Sequence, residues 1–539
     1  MQNNTTNSLT PALSRFFASI TDNKEVIERA NKIQQAIEVG STAIRCDELI
    51  EDKLISSDGS YGYIVQNNGL SGFRRFYNCE KSIADDFIHA QTIKLDKKQV
   101  KQAIKKVLDL TQQKPPKTLD LQWQACLSSL SCTRFILNGG PGTGKTTTII
   151  RLMLLAIQFN NNIKIALSAP TGKAANRMMQ SINQMLEQVS LDEESAQKLN
   201  QPAKTIHRLL GYNHETNTLK YNANNPLPYD LVIVDESSML DVAMTHALLQ
   251  ALKPKAQLLL LGDKKQLPAV DAGNVFADLC HLIKQEQGDD LMAYYLHLQN
   301  NQPKISNCIE LTKNYRFEQG SLIAQLCQYV IEKNPTAIEA LKQHKDFSWH
   351  NPQNRQEKTR FLQHWYKNIP ENETTMLLSP VNYGENSVKE LNELVKKIKH
   401  SAYGLQEGMP IMVTKNDYTL GIFNGDIGVL KKSAGQWLVP FSIEGKQVDV
   451  KLDSINGWTD ANAISIHKSQ GSEYDHILIA LPDDSELEIL SNSLLYTAIS
   501  RAKKSINIWS NPRILSKTIK ADCERTTFLK KYKIIEKNS

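Results

Sequence analysis

The 539-residue sequence predicts an α/β protein with two parallel sheets flanked by helices, a mainly helical N-terminal region and a small β-barrel insert. Three observations predict it. From residue 118 to about 370, short apolar runs (Phe135–Leu137, Ile163–Leu167, Leu231–Val234, Gln257–Leu261) alternate with longer segments of helical period. That alternation is the sequence sign of buried parallel strands covered by helices. It resumes from 371 to the end with Thr375–Leu378, Ala463–Ile466, His476–Ala480 and Ile506–Trp509. Within this second region the stretch 409–454 is punctuated by glycine and carries closely spaced β-prone pieces (Pro410–Val413, Gly428–Lys431, Gln436–Pro440, Gln447–Lys451), which read as a small barrel.

The elements before the first sheet have helical period. Lys24–Val39 is one, and Asp96–Leu110, with Val100, Ile104 and Val107 on one side, is another. The lysines at 97, 98, 101, 105 and 106 read first as a solvated helix face and second as a phosphate-binding one. Pro115 and Pro116 cannot continue a helix, so the expected domains are 1–112, 118–370 and 371–539. Tyr212–Tyr229 reads as a hairpin projecting from the first sheet domain.

Composition excludes several classes. With 41% hydrophobic and 22% charged residues, the chain is not collagen-like, low-complexity or wholly disordered. The net charge of +6 permits a nucleic-acid partner without requiring one. The eight cysteines show no CxxC spacing, which argues against a zinc ribbon or iron–sulfur cluster and suits reduced thiols in the cytosol. No signal peptide or apolar stretch of membrane-spanning length is evident, so a cytoplasmic protein without membrane association is expected.

Gly139-Gly140-Pro141-Gly142-Thr143-Gly144-Lys145-Thr146 fits G-x4-G-K-[ST] between a strand and an apolar helix. The glycines let successive backbone N–H groups surround phosphate, while Lys145 meets the outer phosphate oxygens and Thr146 holds Mg²⁺. Thr147 extends the loop into the helix. Leu231–Val234 ends in Asp235-Glu236, a metal-holding carboxylate beside one that orients or deprotonates water. No Asn-Lys-x-Asp string for guanine is present, which favours ATP. Gln266, in Gly262–Pro268 after another strand, is placed to sense a γ-phosphate.

Further along stand Leu311-Thr312-Lys313-Asn314-Tyr315-Arg316-Phe317, His467-Lys468-Ser469-Gln470-Gly471-Ser472-Glu473 and Leu495-Tyr496-Thr497-Ala498-Ile499-Ser500-Arg501. Together with the phosphate loop and Asp235-Glu236, and in this order, they resemble superfamily 1B helicases of the RecD group, the family of exodeoxyribonuclease V α subunits. The resemblance covers about 118–539 and extends more weakly to Arg75-Phe76-Tyr77-Asn78-Cys79-Glu80. It implies two RecA-like motor domains that clamp ATP and Mg²⁺, with an SH3-like barrel at 409–454 and a strand-separating hairpin at 212–229. Gln122 would contact adenine, Arg316 and Arg501 would stabilise transition-state charge, and Gln470 and Glu473 would link closure to the nucleic acid. Pro170, Thr171, Thr205 and His207 in the first motor domain, and Asn392, Asn424, His467 and Ser469 in the second, would contact DNA. The implied activity is ATP-dependent 5′→3′ translocation and unwinding at duplex ends, alongside RecB-like and RecC-like partners, in double-strand break repair and recombination.

Rival readings leave traces that can be checked. Pro482–Glu488 is acidic but lacks the lysine of a PD-(D/E)xK nuclease, so no nuclease chemistry is expected on this chain. A relaxase would need an N-terminal histidine cluster, and residues 1–110 contain only His89. A helicase of the same group working alone, and a non-hydrolysing DNA-binding scaffold, remain as alternatives; the filled catalytic positions argue against the scaffold.

Overall fold

The computed structural model describes residues 10–532 except 117–118, 188, 190–192, 214, 284–288, 298–302, 316–320, 400–403, 418, 444–445 and 485–486. The first sheet has six strands, all parallel, in the order Cys308–Leu311, Arg134–Gly139, Gln257–Gly262, Leu231–Val234, Ile165–Ala169, Lys204–Thr205. Its central strands are apolar because helices cover both faces. The helix Lys145–Phe159 is buried from Thr148 to Ile157, which explains why its sequence is apolar on every side. The second sheet has five parallel strands, ordered Phe347–His350, Ala502–Trp509, Tyr474–Ala480, Thr375–Ser379, Ala463–Ser465.

The expected boundary at residue 370 moves back to about 320. Leu322, Ile323, Leu326 and Val330 of the helix Leu322–Ile331, with Phe347, belong to the core of the second sheet. The strand Phe347–His350 pairs with Ala502–Trp509 across a long sequence separation that local pattern does not reveal. The insert holds two three-stranded antiparallel sheets, built from Pro410–Val413, Ile427–Val429 and Trp458–Asp460 and from Lys431–Ser433, Gln436–Ile443 and Lys446–Lys451. Ile411, Val413, Val439 and Phe441 share one core between them. The hairpin reduces to Tyr212–Asn213 paired with Thr218–Leu219.

The N-terminal region also departs from expectation. Between the helices Lys24–Glu38 and Arg74–Ile88 lies a four-stranded sheet (Ala43–Arg45, Ile55–Ser56, Ile64–Asn67, Leu70–Phe73), whose strands of two to four residues are too short to show alternation. Nor does the packing break at Pro115-Pro116. Val100, Ile104 and Val107 of the helix Lys97–Leu110 join the core of the first sheet domain, and Phe76, Ile83 and Phe87 pack beside Leu248 and Phe276. Lys98, Lys105 and Lys106 are exposed, in keeping with a solvated face. Among the described residues no helix is long and apolar enough to cross a membrane.

After the second sheet the chain returns to the N-terminal region as a strap. Arg525 donates to the carbonyls of Asp271 (2.9 Å) and Gly273 (2.7 Å), and Thr42 N–H donates to Thr526 O (3.0 Å). Phe528 seats edge-on against Tyr77 with ring centroids 5.0 Å apart. Glu80 accepts from Thr42 Oγ1 and from the Phe528 N–H, each at 3.0 Å, and Thr527 Oγ1 donates to Asp278 at 2.7 Å. Burial pushes the Glu80 carboxyl up from 4.5 to about 8 and Asp278 from 3.8 to about 7. The folded junction therefore binds protons that the unfolded chain releases, and its stability falls as pH rises from the unfolded values through the folded ones. Glu80→Gln should flatten that decline, read as melting temperature on either side of the window. Phe528→Ala should cost about 3 kcal/mol of stability through the cavity it leaves, measured by denaturant unfolding.

Candidate active site

The site forms at the carboxyl ends of the first sheet's strands, where open α/β sheets place their ligands. Gly139–Lys145 links the strand Arg134–Gly139 to the helix Lys145–Phe159. The tight wrap requires Gly142 and Gly144 at φ 75° and 85°, a region that disfavours side chains. Lys145 Nζ is held over the loop by the carbonyls of Gly139 (2.7 Å) and Gly140 (3.1 Å). Thr143 Oγ1 donates to Gly140 O at 2.8 Å and tightens the turn, while Thr146 and Thr147 line the cleft beyond it.

Gln122 lies against this loop. Its Nε2 donates to Thr143 O at 3.2 Å, its Oε1 accepts from Arg151 Nη1 at 3.2 Å, and a Cβ on Gly144 would collide with it. Arg151 in turn stacks over Trp123 at 4.8 Å. The loop after the edge strand Cys308–Leu311 covers the other side: Tyr315 N–H donates to Gly142 O (2.7 Å) and Asn314 Nδ2 to Pro141 O (2.8 Å). Arg316 lies outside the described residues.

Asp235 and Glu236 follow the strand Leu231–Val234, separated from the phosphate-loop strand only by Gln257–Gly262. Asp235 Oδ1 accepts the Glu236 N–H at 2.8 Å. Glu236 sits at φ 53°, a left-handed conformation that stores strain in a non-glycine residue and aims two successive carboxylates at one cleft. Burial and the neighbouring Glu236 raise the proton affinity of Asp235, against which Lys145 and Arg177 pull it down. A dication would relieve that crowding, and the Thr146 hydroxyl and the Asp235 carboxylate line the same cleft, so these residues fit Mg²⁺.

The second sheet domain supplies the opposite wall. A cleft of about 330 Å³ is lined by Lys145, Thr146, Asp235, Glu236 and Gln266 from one domain and by Glu473, Ser500 and Arg501 from the other. Arg501 is buried and braced: Nε donates to Thr497 O (3.1 Å), Nη1 to Ser472 O (3.4 Å) and Nη2 to Ser500 Oγ (3.0 Å). Gln266 Nε2 donates to Asp263 Oδ2 at 3.4 Å, and its Oε1 is buried without a hydrogen-bond partner. Asp263 Oδ2 also receives the Tyr496 hydroxyl at 2.8 Å, and Gln470 Nε2 donates to Leu267 O at 3.2 Å, so both tie the domains together.

The residues expected at the DNA face divide. Pro170 and Thr171 stand at the start of the helix Gly172–Leu186, where Thr171 Oγ1 accepts the Ala174 N–H at 3.2 Å. Gly172 packs directly on Phe423 of the insert, which brings exposed Asn424 to the same seam between the domains. Thr205 caps the short helix Ile206–Leu209, and exposed His207 meets the Tyr212 ring of the hairpin at 5.6 Å. His467 is partly buried, and burial together with nearby Arg525 lowers its proton affinity. Two expectations need correction. Asn392 is turned inward, its amide engaged by Val388 O (3.0 Å), Ala463 O (2.9 Å) and the Ala463 N–H (3.0 Å), so it pins a strand. Ser469 is fully buried and its hydroxyl donates to Ile466 O at 2.6 Å, so in this arrangement it points into the protein.

Comparison with known proteins places this architecture. The family model described as an AAA domain matches residues 122–272, and the UvrD-like helicase C-terminal domain matches 460–508. The chain is 31% identical over 477 residues to RecBCD enzyme subunit RecD of Haemophilus influenzae, spanning 77% of this chain and 73% of that one. The chain belongs to the RecD family of superfamily 1 helicases. RecD of Mycobacterium tuberculosis is 30% identical over 73% of this chain and 69% of its own length. The ATP-dependent RecD2 DNA helicase of Deinococcus radiodurans is 28% identical over 72% of this chain and 49% of its own. As a RecD-family member the chain is an ATP-dependent helicase.

Sequence reasoning passed over Arg177, Asp263 and Tyr496. The first lies on a helix after a segment expected to contact DNA and the others inside recognised segments, yet only the packed domains show what they face. Gly144→Ala, which strains φ 85° and drives Gln122 off the loop, should weaken nucleotide binding by about 1–3 kcal/mol, measured by fluorescent-nucleotide titration.

Proposed function

We propose that this chain is the α-subunit motor of a RecBCD-type helicase, moving 5′→3′ along single-stranded DNA by opening and closing the cleft between its two sheet domains. The single observation that supports this most is the cleft itself: Lys145, Asp235 and Glu236 from one domain face Arg501 from the other. Lys145 and the loop N–H groups grip the β- and γ-phosphates, Thr146 and Asp235 hold Mg²⁺, and the metal supplies charge neutralisation. Glu236 orients and deprotonates the attacking water. Gln266, with one end of its amide uncommitted, senses the outer phosphate. Arg501, braced by three acceptors, stabilises charge that develops as the terminal phosphate departs. Gln122, whose amide bridges Thr143 O and Arg151 beside the loop, would contact the base, and Arg316 is assigned to the same transition state on sequence alone.

ATP draws the domains together because its phosphates attract groups on both; hydrolysis weakens that attraction. Pro170, Thr171, Thr205 and His207 on one side, with Asn424 and His467 on the other, would hold strand phosphates alternately, without reading sequence. Lys145→Gln should abolish DNA-stimulated ATP hydrolysis. Arg501→Ala should keep nucleotide binding and lower turnover by about 10³. Unwinding of duplexes bearing either a 5′ or a 3′ overhang tests polarity: efficient use of the 3′ overhang alone would overturn the direction assigned.

The N-terminal region is the proposed contact with a RecC-like partner. Its groove of about 510 Å³ is lined by Leu13, Phe16, Phe17, Ile37, Tyr63 and Phe73, with Arg74 and Arg75 at the edge. Phe16 and Tyr63 remain 43% and 45% exposed there, which favours a partner surface over a closed core. Phe16→Glu with Tyr63→Ser should abolish co-purification with RecB-like and RecC-like subunits while DNA-stimulated ATP hydrolysis by the isolated chain persists. Undiminished co-purification would remove the partner contact from this groove, and failure of the native chain itself to co-purify would support the reading that it works alone.

A further inference from the structure

Arg177 occupies the middle of the helix Gly172–Leu186 in the first sheet domain and lines the nucleotide cleft beside Asp235 and Glu236. Its Nη2 forms an ion pair with Glu473 Oε1 of the second sheet domain. Its charge acts on both site carboxylates, and although burial lowers its proton affinity, a guanidinium stays charged. Arg177 therefore sits between the carboxylates of one domain and a carboxylate of the other. The same helix is gripped by the insert: Gly172 abuts Phe423, Asn176 Nδ2 donates to Ser442 O at 3.2 Å, and Gln180 Nε2 to Ser442 Oγ at 2.8 Å. Thr171 caps its N-terminus and follows Pro170, both assigned above to the strand-holding side.

We propose that Arg177 is a positioning residue of the hydrolytic site: by pairing with Glu473 while facing Asp235 and Glu236, it makes the carboxylate arrangement depend on closure of the cleft, and hydrolysis depend on the bound strand. The proposal rests on the nucleotide-site reading above. When the second domain withdraws, Glu473 leaves, and the guanidinium is drawn toward Asp235 and Glu236 and no longer holds them in the closed arrangement. Because the helix also carries the Thr171 end and the Ser442 contacts, strand binding and insert movement reach the carboxylates through one rigid element.

The test uses the full chain with and without a single-stranded oligonucleotide. Arg177→Ala and Glu473→Ala should each lower DNA-stimulated kcat by about tenfold or more, and the double variant should fall well short of the product of the two losses. Arg177→Lys, which keeps the charge, should recover most of the activity. Hydrogen exchange supplies the readout that does not depend on turnover. Amides of 172–186 should gain protection when a non-hydrolysable ATP analogue and the oligonucleotide are added to the native chain, and should gain none in Arg177→Ala. Independent, multiplicative losses in kcat, or an unchanged protection gain in Arg177→Ala, would overturn the role of Arg177. Normal stimulated hydrolysis in Lys145→Gln would instead overturn the nucleotide-site reading beneath it. A melting temperature for each variant near that of the native chain confirms that the comparison concerns folded protein.

Discussion

The seating of Leu267 in the second sheet domain is the constraint on which the site depends. This residue follows Gln266 on a loop of the first domain, yet its side chain lies in the hydrophobic core of the second. Its N–H donates to Thr497 Oγ1 at 2.9 Å and its carbonyl receives Gln470 Nε2 at 3.2 Å. Backbone and side chain are thus both committed to the partner domain. The adjoining Gln266 is carried into the cleft wall with little freedom, and Arg501, four residues after Thr497, is brought to face the phosphate loop. A polar residue at 267 would lose the apolar seat and leave the two hydrogen bonds to hold the domains alone, which is a weak substitute.

Around that seat the charges are arranged in opposition. Asp235 and Glu236 sit side by side in a partly enclosed cleft, where two carboxylates repel and the first gains proton affinity. Lys145 and Arg177 offset this from the first domain, and Arg501 faces them from the second. An added triphosphate would bring several negative charges into a wall already lined by three cations, and a dication would quiet the two carboxylates. The cleft is therefore electrostatically unsettled as it stands, a state suited to a ligand that carries both signs of charge.

Much of this was legible in the sequence because the signals were local. The Gly139–Thr146 spacing fixes a backbone shape, and an apolar run ending in Asp235-Glu236 fixes a strand with carboxylates at its tip. Arg501 lines one cleft with Lys145 and Thr146. What escaped was direction. Asn392 and Ser469 matched a motif by residue type, but a motif does not say whether an amide points at a ligand or at the neighbouring strand's backbone, and both point inward. Arg177 escaped for the converse reason: its partners Asp235, Glu236 and Glu473 lie far away in sequence. The four N-terminal strands were too short to declare a period, and Leu322–Ile331 looked like any apolar helix until the second sheet stood beside it.

The strap adds a limit on motion. Residues 525–528 leave the second domain and bind Gly273, Thr42 and Glu80, while Leu267 fixes the same pair of domains by a second attachment. Arg525 and Gln266 line one cleft, and Gln266 with Arg177 and Arg501 lines the next, so Gln266 stands between the strap and the nucleotide side. Two bodies joined at two such points are not free to translate apart; what remains is rotation about the line through the attachments. In such a rotation the contacts nearest the line change least and those farther out change most. Tyr496 on Asp263 and Thr497 on the Leu267 N–H adjoin the line and would persist through a cycle. Ion pairs across the nucleotide side, Arg177 with Glu473 among them, would open and re-form. Hydrogen bonds with short, directional reach suit the first place, and charged side chains on long stems, which tolerate changing separation, suit the second.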